Sequence, residues 1–281
     1  MTDTEVVADG LVFPESPRWH EGALWFSDQH DLRVCRVDSQ TSNVETVVHV
    51  PQQPSGLGWA QGRLLVVSMT DRRVLSFEGG RLSQWADLRE VAAFHCNDMV
   101  VDTRGRAYVG NFGFDLLGRA PKVPASLALV DTDGSVSRVA DDLMFPNGCA
   151  ITRDGRTLLV AETFAARVTS FRINDDGSLS NREMYCDLGG ALPDGICLDG
   201  EGAVWCACPV EHQVLRVRQG GEITDRVDLG DRQPFACILG GPLRRTLFVC
   251  SATTVNPKRA KELREGRIES IAVPVAGAGL P

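Results

Sequence analysis

The 281-residue chain has no excess of positive charge, no long apolar run and no paired-cysteine motif, and each absence narrows what it can do. Acidic residues outnumber basic ones 37 to 29, for a formal net charge of -8. Nucleic acid and anionic membrane surfaces require a positive face, so neither is an expected partner. The densest basic stretch, Lys258 to Arg267, is interrupted by Glu262 and Glu265 and reads as a solvated loop or short helix. Nowhere do about 18 apolar residues follow one another, which argues against a membrane-spanning helix. The opening MTDTEVVADG has neither the basic start nor the apolar core of a secretion signal, so the expected location is cytoplasmic.

Nine cysteines, an odd number, lie mostly inside apolar runs such as AVWCACPV and TLFVCSA, where they behave as small buried hydrophobes rather than a disulfide framework. Cys206 and Cys208 are too close together for a C-x-x-C redox or zinc pair. No G-x-S-x-G elbow occurs, which removes support for a serine hydrolase. No convincing amphipathic helical period is found either.

What is present is repetition. Apolar segments beginning near Leu24, Leu64, Ala107, Leu158, Val204 and Leu247 recur at intervals of 40 to 51 residues. Each is followed by a second strand-like run (RVCRVD, RVLSFE, SLALVD, RVTSFR, QVLRVR and RIESIA), and most by a third, such as ETVVHV or REMYCDL. Four short strands per unit, separated by turns such as DTDG and NDDG, predict an all-β, six-bladed β-propeller forming one domain over residues 1–281. Blades three and six carry insertions, at 111–124 and 253–264. The N-terminal TEVVADGLVFPESP aligns with SRVADDLMFPNG, an outer strand running into an inner one. The N-terminal strand is therefore expected to join the C-terminal blade and close the ring.

Aligning the innermost strands gives PESPRW, PSGLGW, CNDMVV, PNGCAI, PDGICL and PFACIL. Their second positions are Glu15, Ser55, Asn97, Asn147, Asp194 and Phe235, and an apolar residue stands four positions later in every case. Equivalent positions in a propeller are related by rotation about its axis, so these side chains converge on one channel mouth. Two carboxylates and two amides there would repel or stay unpaired without a cation. Glu15, Asn97, Asn147 and Asp194 are therefore the candidate ligands of one divalent metal ion. Oxygen-only ligands favour Ca²⁺, then Mg²⁺ or Mn²⁺, with Zn²⁺ able to substitute. Asp98 either backs Asn97 as an acceptor or caps a turn.

The stretches FPESPRW, NDMVVDTRGRAYVGN, PNGCAITRDGRTLLVAET and PDGICLDGEGAVWCAC resemble the SMP-30/gluconolactonase (regucalcin) family over about residues 10 to 220. The resemblance implies a six-bladed propeller, lactonase activity, and a metal held by Glu15, Asn147 and Asp194, with Asn97 touching metal-bound water or substrate. Sugar-lactonase members often carry an Arg two positions before Asn97. Here that position is His95, which weighs against a sugar lactone. His95 either contacts substrate and shuttles protons, or packs near Phe94 and Cys96.

The expected chemistry is a lactone or small ester opened by metal-activated water, with Asp194 taking the proton and Asn97 assisting. The rival readings are a hydrolase or lyase acting on a non-lactone of the aryl ester, phosphotriester or natural-product type, and a non-catalytic binding propeller. Oligomeric state is left open. Loops above the channel are expected to set specificity, with candidates His30, Asp31, Phe112, Phe114, Leu116, Phe164, His212 and Phe235, whose aromatic character suggests a partly apolar substrate.

Overall fold

In a computed structural model, residues 4–37 and 43–281 are described. Residues 1–3 and 38–42 lie outside the described residues, and with them Asp38, which ends the run RVCRVD. The strands form six four-stranded sheets, the blades expected from the repeat. Their innermost strands are Pro14–His20, Pro54–Ala60, Cys96–Val101, Pro146–Ile151, Ile196–Leu198 and Gln233–Gly240. Each packs beside the next, and the ring closes where Pro14–His20 meets Gln233–Gly240.

Closure follows the expected route. Glu5–Leu11 pairs antiparallel with Gly266–Ala272 as the outer strand of the sixth blade, so that blade is built from both ends of the chain. The strands hold together through the apolar faces they turn to neighbouring blades. Leu24, Phe26 and Val37 of the first blade pack with Ile238, Leu239 and Leu247 of the sixth. Leu65, Val67 and Val74 of the second pack with Met99, Val101 and Val109 of the third. All nine cysteines are free and buried. Among the described residues no helix is long and apolar enough to cross a membrane.

Two features position the functional end. The insertion of the sixth blade contains the helix Pro257–Leu263, started by Pro257 and capped by Asn256, whose side chain accepts from the Arg259 amide at 3.1 Å. At the opposite end of the channel, the C-terminal tail crosses the fifth and fourth blades. There the Ala278 amide donates to the Leu198 carbonyl (3.0 Å), and Leu280 and Ile151 exchange both backbone hydrogen bonds. Leu280 and Pro281 of this strap line a cavity beside Arg18, Trp19 and Trp59, while Glu15, Asn147 and Asp194 face a separate cavity at the other end.

Candidate metal centre and substrate cavity

The ladder between the first two strands of five blades breaks at the aligned position. Register shifts fall between Glu15 and Arg18, Pro54 and Leu57, Cys96 and Met99, Pro146 and Cys149, and Pro234 and Ala236. A bulge turns the local backbone and re-aims a side chain. In the fifth blade Asp194 and Gly195 precede the strand, and Asp194 donates its amide to the Ala207 carbonyl at 2.8 Å.

Glycine after the aligned residue lets adjacent inner strands touch. A Cβ on Gly148 would sit 2.5 Å from the Ile196 nitrogen, and one on Gly195 would sit 2.6 Å from Ala236 Cα. The Gly148 amide instead donates to the Asp194 carbonyl (3.1 Å), and the Gly195 amide to the Phe235 carbonyl (2.8 Å). The backbones bearing the candidate ligands are thus fastened blade to blade.

Glu15, Asn97, Asn147 and Asp194 lie on the wall of one cavity of about 180 Å³. Asn97 Nδ2 donates to Asn147 Oδ1 (2.9 Å), and Asn147 Nδ2 to Thr163 Oγ1 (3.2 Å). The Ser16 amide donates to Glu15 Oε2 at 2.6 Å. Burial pushes the Glu15 carboxyl well above its ordinary range, and the charges of Asp194 and Asp98 add to the effect. Burial likewise pushes Asp194 up to about 8, again with a contribution from Asp98.

Among the described residues no Lys or Arg side chain lines the cavity. The buried cation nearby, Arg18, is already paired with Asp98 at 2.6 Å. Counting those four groups, three carboxylates face one guanidinium, an imbalance of two charges that a divalent cation would neutralise. Among the described residues no three or more His, Cys, Asp or Glu side chains gather as a metal cluster. The donor set therefore consists of two carboxylates completed by amide oxygens. It suits a hard divalent ion, and coordination by Asn147 Oδ1 would replace its hydrogen bond from Asn97.

A second tier of the wall lies in the segments that lead into the inner strands, where Gln53 and Phe145 take left-handed φ of 63°. Phe13, Gln53, His95 and Phe145 stand two positions before Glu15, Ser55, Asn97 and Asn147, and all four line the cavity. Their carbonyls accept, in the same order, from the amides of Gln29 (2.9 Å), Met69 (2.9 Å), Phe112 (2.9 Å) and Thr163 (3.2 Å). Gln29, Met69 and Phe112 complete this tier. Of these residues, Phe13, Gln29, Gln53, Met69 and Phe145 were not singled out from the sequence, although the same alignment read two residues upstream contains four of the tier's positions.

His95 lines the cavity and also stacks on Phe94, with centroids 4.2 Å apart. Burial holds its ring below the ordinary histidine pKa, and Asp115 opposes that shift. His30 is more enclosed. Its ring packs tilted against Phe13 at 4.6 Å, its Nδ1 meets Gln53 Nε2 at 3.1 Å, and its Nε2 has no hydrogen-bond partner. Burial, reinforced by Lys261 and opposed by the Val255 backbone, lowers its pKa to about 4. Phe235 packs on Phe13 at 4.6 Å and reaches the cavity.

Other candidate residues lie elsewhere. Asp98 neither backs Asn97 nor lines the cavity; its Oδ1 accepts from Arg18 Nη2 and from the Met99 amide (2.8 Å). Phe114 and Phe164 pack against Phe145 from behind, at 5.9 and 5.0 Å, and tie the blade-three insertion to blade four. Asp31 pairs with Arg33 (3.0 Å) and Arg264 (3.2 Å). His212 has φ of 57° in the hairpin after Val204–Cys208, where Leu32, Arg72 and Ala166 adopt the same left-handed conformation in other blades. Its Nδ1 meets the Arg232 carbonyl at 3.1 Å, so a turn accounts for it.

A closed six-bladed propeller with buried carboxylates and amides at one mouth defines the class. Residues 13–253 match the SMP-30/Gluconolactonase/LRE-like region, and the chain belongs to that family. It is 30% identical to regucalcin of Danio rerio over 254 residues, 85% of this chain and 82% of that protein. It is 28% identical to pentonolactonase XacC of Haloferax volcanii, over 90% of this chain and 86% of the other. A solved calcium-binding regucalcin from Agrobacterium tumefaciens superimposes with a TM-score of 0.83 at 21% identity, covering 99% of this chain and 96% of that one.

Proposed function

We propose that this protein is a divalent-metal-dependent lactonase whose cavity opens a small lactone or ester to the hydroxy acid. The observation that carries the reading is the buried pair Glu15 and Asp194, facing one cavity with two amides and no cationic side chain. Kinship with a pentonolactonase over most of both chains supports the reaction type.

Glu15, Asn147 and Asp194 would hold the ion, with Asn97 beside it; Ca²⁺ matches the oxygen donors, and Mg²⁺, Mn²⁺ or Zn²⁺ are the alternatives. When bound, the ion supplies Lewis-acid polarisation of the acyl carbonyl and positive charge for the developing oxyanion. Asp194 accepts the proton of the attacking water as its oxygen bonds to the acyl carbon. The ring C–O bond then breaks, and Asp194 returns the proton to the departing alkoxide. The Asn97 amide orients the attacking water or the carbonyl, and the Phe13 and Phe145 side of the wall limits access of bulk solvent.

The test is hydrolysis of aliphatic, aromatic and sugar lactones before and after chelation, with each metal restored in turn. Turnover is expected to vanish on chelation and return with one ion. Asp194→Asn, which keeps an oxygen ligand while removing the base, is expected to lower kcat by roughly 10²- to 10⁴-fold. Full activity in that variant with metal still bound would remove Asp194 from its role. Turnover of aryl esters but of no lactone would move the assignment to a non-lactone hydrolase.

A further inference from the structure

The cavity's wall and rim carry a statement about substrate that rests on the lactonase reading and goes past it. We infer that the substrate is an uncharged lactone bearing an apolar substituent, which lies against the phenylalanine wall and leaves the cavity between Leu117 and Val255.

Three observations lead there. The first is charge. Two carboxylates and no Lys or Arg are among the described residues that line the cavity, so the anion of a sulfonated, phosphorylated or carboxylated substituent lying against the phenylalanine wall would meet no ammonium or guanidinium there. Of the two basic residues of the blade-three insertion, Arg119 and Lys122, neither lines the cavity, and Lys122 lies over the Phe164 ring at 3.7 Å.

The second is hydroxyl recognition. A polyhydroxylated ring is selected by polar groups that stay unpaired until it binds. Here Asn97 is bonded to Asn147, Asn147 to Thr163, and Gln53 to His30; His30 Nε2 stays unpaired, a single position beside Phe13 rather than the set of polar groups that a polyhydroxylated ring needs. The wall between them is apolar and aromatic: Phe13, Met69, Phe112, Phe145 and Phe235.

The third is the rim. The two insertions, 111–124 and 253–264, meet the cavity with Leu116 and Leu117 from one and Val255 and Pro257 from the other. Leu117 is 64% exposed and Val255 50% exposed. Apolar side chains on two loops, exposed at the mouth of an apolar cavity, leave surface that a ligand can cover. The insertion carrying Val255 is anchored rather than loose, since its helix packs on Gln29–Asp31 and Arg264 bonds Asp31 at 3.2 Å and the Gly10 carbonyl at 3.1 Å. The rim therefore offers a fixed exit track for an alkyl or aryl substituent.

The experiment measures kcat/KM of the metal-loaded protein on γ-lactones with n-alkyl side chains of one to eight carbons, beside a sugar lactone and a sulfonated sugar lactone. Burial of each methylene is expected to raise kcat/KM roughly three- to fourfold until the rim is passed, so four methylenes give a gain on the order of 100-fold. In the double variant Leu117→Ser/Val255→Ser the ratio between long- and short-chain lactones is expected to fall at least tenfold. Met184→Ser, removing an apolar residue of similar exposure (61%) on the outer strand of the fourth blade, is expected to leave that ratio unchanged. A flat alkyl series, an equal or better sugar or sulfonated lactone, or a rim variant with an unaltered ratio would overturn the inference and leave the lactonase reading standing. Absence of turnover on every lactone would overturn both.

Discussion

Arg18 shows how much of the channel one residue organises. Its guanidinium donates to the carbonyls of Pro17 (2.9 Å), Leu57 (2.9 Å) and Met99 (2.6 Å) as well as to Asp98, tying the first three blades together. Removing one partner of a buried pair leaves the other charge unpaired, which costs more than the pair contributes. Asp98→Ala is expected to lose about 3–5 kcal/mol in urea unfolding, while Arg18→Met with Asp98→Leu recovers most of that. A loss of the size seen for exposed substitutions would show that the pair is not buried as described. His30 belongs to the same scale. Its pKa, lowered from 6.5 to about 4 chiefly by burial, means the unfolded chain binds a proton that the folded ring refuses. Stability owed to this group is whole above about pH 6.5 and is lost as pH falls toward 4, by at most about 3 kcal/mol. His30→Gln is expected to melt with a shallower acid dependence than the parent between those values, and identical slopes would refute the assignment.

At the scale of the element, the blade is a four-stranded meander whose chemistry resides in its first few residues. Much of the family-like sequence serves turns. In DTRGRA the Asp102 carboxylate accepts from the amides of Arg104 and Arg106 (both 2.9 Å), and in DGEGA Asp199 does the same for Glu201 (2.9 Å) and Ala203 (3.0 Å). The Pro-Asn-Gly and Pro-Asp-Gly segments instead combine a cavity-lining candidate ligand with a glycine that permits strand contact. Gly148→Ala would force a methyl into the Ile196 and Asp194 backbones. It is expected to cost about 1–3 kcal/mol and to weaken metal binding, because it displaces both Asn147 and Asp194. Calorimetric metal titration beside thermal melting checks this, and an unchanged Tm would refute it. The strands and the convergence of Glu15, Asn97, Asn147 and Asp194 on one cavity were legible because a six-fold repeat displays each position six times. The second tier was overlooked because its members, Phe13, Gln53, His95 and Phe145, share no residue type, only a register.

For the molecule as a whole, closure is the decisive event. Glu5–Leu11 covers the outer edge of the sixth blade, and without it Gly266–Ala272 would present unpaired backbone groups. Such an edge pairs with other copies. A chain lacking residues 1–11 is expected to aggregate at concentrations where the full chain does not, as size-exclusion chromatography would show, and a monodisperse truncated protein would contradict the role given to this strand. The same closure holds the inner strands in a ring, so that Glu15 from the first blade meets Asp194 from the fifth.

By itself, the sequence determined the repeat, the strand order, the route of closure and the residues at each inner-strand start, because these depend on local pattern and a fixed period. The tertiary structure alone decided what those residues meet. It placed Asp98 on Arg18 instead of Asn97, withdrew Phe114 and Phe164 into packing behind Phe145, and gave His212 to a hairpin turn. It also brought Leu117 and Val255, 138 positions apart in the chain, to one rim. Loop insertions carry no period to read, and a side chain's partner in another blade depends on the rotation between blades, which no single repeat encodes.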